Sequence, residues 1–165
     1  MNTHAENVQK LAKLIKDVRV AMLTTIEADG SLRSRPMETQ QTEFDGTLWF
    51  FTWIDTAKVH EIEHDHHVNL SYAHPSDQVY VSVSGTARVV RDQAKAKELW
   101  NPLHKAWFPK GVDDPNLGLL RVDVEKAEYW DSPSSAVVQL IGFAKAIATG
   151  KPYGEEAADH EKITL

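Results

Sequence analysis

The chain has 165 residues, 42% of them hydrophobic and 25% charged, with a formal net charge of −6 at pH 7; that fits one domain with a single packed core. The acidic balance argues against a nucleic-acid footprint and against charge-driven binding to anionic lipid, and the lack of cysteine excludes disulfides, thiolate catalysis and sulfur-ligated metal. The first ten residues are polar and no apolar run approaches the ~20 residues that span a bilayer, so the cytoplasm is the default location.

Thr3 and Glu6 form a capping box, and Val8, Leu11, Ala12, Leu14, Ile15 and Val18 follow at helical spacing. Residues 20–26 are a compact β-prone run, closed by a turn at Ala28-Asp29-Gly30-Ser31. The polar stretch 32–44 reads as a strand facing partly into a site, with Pro36 marking an edge or bulge. Asp45-Gly46 is a hairpin signal, and 48–53 is a buried strand. Thr56 predicts the cap of a short helix running to about His67. A strand over 68–73 and a turn at His74-Pro75-Ser76-Asp77 precede a long strand over 78–90. There Val79, Val81 and Val83 share one face, and Tyr80, Ser82 and Ser84 the other. Gly85 interrupts it and predicts a bulge.

Asp92 caps a helix through Leu99 and Trp100, which Pro102 limits. An aromatic loop follows from Trp107 to Pro115. Residues 117–124 form a strand that 127–131 continues. The spacing predicts a helix over 136–148 with Val137, Leu140, Ile141, Ala144 and Ile147 inward, ended by Gly150. Residues 151–165 have too few apolar side chains to pack alone and read as a tail, loose or laid along a partner. One domain over 1–150 therefore precedes a tail over 151–165. Antiparallel strands interrupted by short helices, without βαβ repeats, give an α+β fold built around a small barrel.

The chemistry concentrates in two neighbouring stretches. Arg35-Pro36-Met37 lies on one strand, and Phe51-Thr52 on the next leads into a helix start carrying Thr56 and Lys58. A helix N-terminus offers free N–H groups, Thr56 a hydroxyl, Lys58 a point charge, and Arg35, if it points the same way, a fork of donors. That set suits a phosphate; a surface helix with a solvated lysine is the plainer account.

These residues, with Tyr80-Val81-Ser82-Val83-Ser84-Gly85-Thr86-Ala87, Ala106-Trp107-Phe108-Pro109-Lys110-Gly111 and Ala127-Glu128-Tyr129-Trp130-Asp131, carry a resemblance over nearly the whole chain. The sequence resembles the pyridoxamine 5'-phosphate oxidase-like, FMN-binding split barrels and, within them, the bacterial general stress protein 26 family. The resemblance implies an antiparallel split β-barrel with peripheral helices and a homodimer with FMN between subunits. Arg35, Pro36 and Met37 would pass along the flavin ring and ribityl chain, Phe51 and Thr52 would continue that wall, and Thr56 and Lys58 would hold the phosphate. Gln78 or Tyr80 would approach the ring, and Trp130 would reach the partner's flavin. Trp107 and Phe108 read either as a lid over the flavin or as an anchor for their loop. The oxidases often carry Arg-Lys where this chain has Ala57-Lys58, which leaves FAD open as the flavin. The implied function is flavin binding with redox chemistry in the general stress response; a non-catalytic flavin store or sensor is the alternative. After Trp130 the chain has no arginine, whereas the oxidases hold substrate phosphate with an Arg-x-His-x-Arg-type segment there, so oxidation of pyridoxine 5'-phosphate is not expected.

A rival motif is His60-Glu61-Ile62-Glu63-His64, which matches the zincin pattern H-E-x-x-H. On a helix, His60 and His64 would chelate zinc with Glu61 as base. No downstream histidine or glycine extends the motif, and Val59 and Ile62 as the inward pair leave the histidines toward the outside. A solvated helix face is the favoured account over a zinc hydrolase. His74 and His104 stand alone as surface or partly buried histidines.

Overall fold

The computed structural model describes residues 3–40, 42–131, 136–150 and 159–165, without the side chains of 136–140, 142 and 159. Its elements run α1 (His4–Ile15), β1 (Val20–Ile26), β2 (Leu32–Glu38), β3 (Thr47–Trp53), α2 (Ala57–His64), β4 (His67–His74), β5 (Val79–Val90) and α3 (Gln93–Leu99). A 3-10 turn at Pro102–Ala106, β6 (Leu117–Asp131), α4 (Ala136–Thr149) and β7 (Asp159–Thr164) follow.

The seven strands form one antiparallel sheet in the order β2-β1-β4-β5-β6-β3. β6 is long enough to serve two partners on one side: β3 pairs with residues 117–123 and β7 with 126–131. The end strands β2 and β3 do not pair, so the sheet curls into a split barrel without closing. The α+β split-barrel expectation therefore holds.

Local chemistry explains most of the elements. The Thr3–Glu6 capping box forms as expected, and Asp92 caps α3 by accepting from the Lys95 N–H. Pro36 sits on an edge strand, where its missing N–H leaves no ladder bond unmade. The register shifts between Ser84 and Gly85. A Cβ on Gly85 would lie 2.1 Å from the Asp123 carbonyl oxygen, so only glycine lets β6 approach there.

Alternation fills the barrel. Leu23, Met37, Leu70, Tyr72, Val81, Val83, Val122 and Tyr129 point inward with Leu11 and Ile15 of α1. A second cluster forms on the other face of β3, where Phe51, Phe108, Leu117 and Leu119 pack with Trp49, Trp53 and Trp100.

Several expectations need correction. The Asp45-Gly46 turn leads into β3, but β3 pairs with β6 rather than folding back on β2, so no hairpin forms. α2 ends at His64 rather than near His67, and His67 already opens β4. In α4 the side chains of Ile141, Ala144 and Ile147 are exposed rather than inward; a helical stripe specifies an apolar face but not what covers it. Val137 and Leu140 lie outside the described side chains. The tail is not wholly loose: Asp159–Thr164 joins the sheet as β7, with Ile163 buried. Backbone ladder bonds to a free stretch of β6 supply what its side chains lack. Residues 151–158 lie outside the described residues, and among the described residues no helix is long and apolar enough to cross a membrane.

Candidate functional site

β2, β3, α2 and the loop after α3 enclose a cavity of about 510 Å3. Its walls include Pro36 and Met37 from β2, Phe51, Thr52 and Trp53 from β3, Lys58 from α2, and His104, Trp107 and Phe108 from the loop. Each element delivers its part for a local reason. β2 is an edge strand, so Pro36 is exposed on its outer face while Met37 turns inward. β3 is buried on both faces and brings Phe51 and the buried Thr52 to the cavity. Thr52 donates its hydroxyl to the Trp53 carbonyl at 3.1 Å.

Of the aromatic pair in the loop, Phe108 is the anchor: it is buried, with its ring centroid 4.9 Å from that of Trp53 and 6.0 Å from that of Phe51. Trp107 stays 57% exposed at the cavity's edge. His104 is more buried than a surface histidine, and its ring lies 4.7 Å from that of Phe51. Its Nδ1 accepts the Asn101 N–H at 2.9 Å, which leaves the ring proton on Nε2. Burial lowers its pKa, with Glu38 acting weakly in the other direction.

The charged end of the cavity is organised differently from what the sequence implies. Arg35 does not line the cavity. Its Nη1 donates to Thr25 Oγ1 and its Nη2 to Glu61 Oε2, both at 2.7 Å. Thr25 in turn donates to Glu61, and Arg33 lies 3.8 Å from the same carboxylate. Glu61, which the zincin pattern would make a general base and the plainer reading would leave solvated, is instead 11% exposed and engaged by Arg35. Burial by itself would raise its pKa, but the hydrogen bonds from Thr25 and Arg35 and the charges of Arg35 and Arg33 outweigh that and hold it low. One helical turn earlier, Lys58 is half-buried. Burial lowers its pKa and the nearby Arg35 charge adds to the effect, while Glu61 opposes it. Lys58 is thus the cation that α2 presents to the cavity, and Arg35 stands behind it, bound to Glu61.

The histidines of the motif turn away. His60 is exposed and within 3.4 Å of Asp55, and His64 is exposed. Among the described residues no group of three or more histidines and carboxylates is placed to hold a metal ion.

Thr56 does not cap α2; its hydroxyl donates to the Trp53 carbonyl at 3.1 Å. Tyr80 and Trp130 are directly opposed across β5 and β6 on the exposed sheet face, and Trp130 stacks on His160 with ring centroids 5.2 Å apart. Gln78 holds a left-handed turn conformation at φ 55° just before β5. None of these four lines the cavity within one chain. Sequence reasoning missed Glu61 as Arg35's partner, His104 as a cavity wall, and Arg19, which lines the rim and pairs with Glu38 at 3.2 Å. The only advance signal was the glutamate at helical spacing from Lys58.

A model of the family described as pyridoxamine 5'-phosphate oxidase like matches residues 6–154. The chain belongs to this family. Protein bli-3 of Neurospora crassa is 31% identical over 157 residues, covering 89% of this chain and 75% of that protein. The solved structure of the general stress FMN/FAD binding protein from Xanthomonas citri is 34% identical with a TM-score of 0.67, over 79% of this chain and 92% of that one. General Stress Protein 26 from Bacillus anthracis shares the fold at 23% identity and a TM-score of 0.64, over 77% and 94% of the two chains. In this member of the pyridoxamine 5'-phosphate oxidase-like family, Ala57 precedes the cavity lysine, so the cationic wall rests on Lys58 with Arg35 at its back.

Proposed function

We propose that this chain is a cytoplasmic FMN-binding protein that takes the flavin into the cavity between β2, β3 and α2, and that it works as a homodimer with flavin redox chemistry in a stress-related role. The observation that carries this reading is the convergence of Pro36, Met37, Phe51, Thr52 and Lys58 on one cavity of about 510 Å3. That size lies within the ~300–1,000 Å3 usual for cofactor sites. The residues fit the group. Pro36, Met37, Phe51 and Trp107 offer apolar surface for a flat ring system. Lys58 and the start of α2, whose N-terminal N–H groups no Thr56 side chain caps, suit a phosphate. His104 offers a neutral ring beside Phe51. Bound flavin would supply the hydride or electron transfer; the chain supplies placement, exclusion of water and charge.

The dimer rests on the outer sheet face. Val20, Met22, Tyr80 and Trp130 are exposed on it at 37–50%, and Val20 and Pro36 carry that face into the cavity. A partner packed there would bring its own Tyr80 and Trp130 toward the flavin. Gln78, at the start of the same strand, would follow.

The test is an absorption spectrum of the purified protein, with chromatography of the released chromophore. Flavin bands and an FMN peak are expected; an FAD peak would favour the larger flavin, and a protein that takes up neither would refute the reading. Lys58→Ala should weaken FMN binding by about 1.5–3 kcal/mol, the range for hydrogen bonds to charged groups, and leave riboflavin binding unchanged. Equal FMN affinity in the variant would place the phosphate elsewhere. Oxidation of a reduced nicotinamide by the loaded protein would separate an oxidoreductase from a flavin store.

A further inference from the structure

A second cavity, of about 390 Å3, lies between α1 and the first half of β3. Ala12 and Ile15 of α1, together with Phe44, Leu48, Trp49 and Phe50, give it an apolar and largely aromatic wall. Tyr72 of β4 completes that wall. It is almost fully buried, and its hydroxyl has no hydrogen-bond partner. A buried hydroxyl with its hydrogen bond unmade is destabilising, and burial raises the phenol pKa, so the group is a neutral donor without an acceptor. The charged groups of the lining are Lys13, Lys16 and Glu43, all exposed. Neither lysine has a carboxylate partner among the described residues, so the rim favours a single negative charge.

We propose that this cavity is a binding site for a small aromatic monocarboxylate, with its ring against Phe44 and Phe50, a ring-borne oxygen accepting from Tyr72, and its carboxylate at Lys13 and Lys16. The site is separate from the flavin cavity but adjoins it. Gln40 lines both, and β3 walls one cavity with Thr47–Phe50 and the other with Phe51–Trp53.

The experiment is calorimetric titration of the full chain, flavin-free and flavin-loaded, with 4-methoxybenzoate and with 4-ethylbenzoate. The two probes have nearly the same shape, and only the first carries an acceptor for Tyr72. Saturable binding of 4-methoxybenzoate is expected, with or without flavin, and stronger than that of 4-ethylbenzoate by roughly 3–10-fold, the worth of one neutral hydrogen bond. Tyr72→Phe removes an unpartnered hydroxyl and should fold as well as the parent; it should abolish the preference and leave 4-ethylbenzoate unchanged. Lys13→Gln with Lys16→Gln should weaken both probes alike. No saturable binding at millimolar probe, or a preference that survives Tyr72→Phe, overturns the proposal. Binding that flavin competes away also overturns it, because it would place the probes in the flavin cavity. The outcomes of the flavin-free titrations do not depend on whether flavin binds.

Discussion

The two faces of β1 carry opposite solutions to one problem. Ala21, Leu23 and Thr25 point into the barrel and are buried, while Val20, Met22 and Thr24 point outward along the same backbone. The inner face is completed by the chain itself, with Leu70, Val81, Val83 and Tyr129 from the neighbouring strands. The outer face is not. Register carries Met22 across to Ser71, Ser82 and Glu128, and Tyr80 to Trp130 and His160. That surface mixes small hydroxyls with isolated large apolar side chains. A strand's period of two fixes which residues share a face, but only the curvature of the whole sheet decides which face becomes a core. The inner face therefore owes its stability to burial within one chain, and the outer face leaves its large apolar side chains open to solvent in the single chain, where the proposed dimer would cover them.

The widest expected gap lies between two adjacent residues. Leu23→Ala should cost about 2–5 kcal/mol, as for other fully buried leucines. Met22→Ala should change the stability of the isolated subunit by less than about 0.5 kcal/mol. Chemical denaturation of both variants at concentrations that disfavour association checks this, and comparable losses would mean that Met22 is already part of a single-chain core.

At one end of the inner face lies a charged set, Thr25, Arg35 and Glu61, and removing Glu61 tests whether it stabilises or only compensates. Glu61→Ala should cost about 1.5–3 kcal/mol, because Arg35 would be left partly buried without its carboxylate. The pH dependence has a definite sign. The folded-state pKa of Glu61 lies below its ordinary value of 4.5, so its contribution is complete above that value. It declines as the pH falls below 4.5 and is lost once the pH passes the lowered folded-state value. The stability difference between parent and variant should therefore shrink on acidification from pH 7 to pH 3, measured by denaturant midpoints. A difference that stayed constant would show that the carboxylate charge does not contribute. His60→Ala with His64→Ala, on the exposed side of the same helix, should leave both stability and flavin binding unchanged.

That contrast within α2 also marks the limit of what the sequence made legible. The capping box of α1, the Asp92 cap, the edge position of Pro36 and the bulge at Gly85 were readable because each is fixed by residues within a few positions. The walls at Pro36-Met37, Phe51-Thr52 and Lys58 were readable because the family resemblance supplied their meeting. Glu61 was not, since its partners Thr25 and Arg35 lie 36 and 26 residues away and the motif around it suggested zinc chemistry. β7 was missed because Ile163 is its only buried side chain among those described, and its backbone bonds to β6 leave no mark in composition. The stripe of α4 was correctly seen as apolar, but periodicity cannot supply a surface to cover it.

A smaller effect is expected on the outer face itself. If the subunits meet there, Met22→Asp places a charge opposite apolar surface and should weaken self-association by about 10-fold or more, equivalent to roughly 1.4 kcal/mol. Subunit stability should stay near that of the parent. Light scattering across a dilution series measures the first and thermal unfolding the second. A protein that is monomeric at micromolar concentration with flavin bound would remove the outer face from the argument altogether.

The smallest effect should come from the end of the same surface, where β7 closes the free stretch of β6. His160 stacks on Trp130 at an interplanar angle of 11° and lies 2.7 Å from a Glu128 carboxylate oxygen, yet both partners are partly open to solvent. Exposed pairs of this kind contribute about 0–1 kcal/mol, and a stacked ring adds about 0.5–1.5 kcal/mol at most. β7 is otherwise held by its ladder to β6, the buried Ile163, a hydrogen bond from Tyr129 to Glu161 at 3.1 Å and one from the Asn7 side chain of α1 to the Thr164 carbonyl at 3.0 Å. His160→Ala should therefore leave global unfolding almost unchanged while raising amide exchange in residues 159–164 and in the facing stretch 126–131. Exchange in 117–123, which pairs with β3 instead, should not move. The two halves of β6 make this a controlled measurement within one strand, because both share β5 on one side and differ only in the partner on the other. Faster exchange along all of β6 would mean that β7 supports the barrel as a whole and that the outer face is less separable from the core than its side chains suggest.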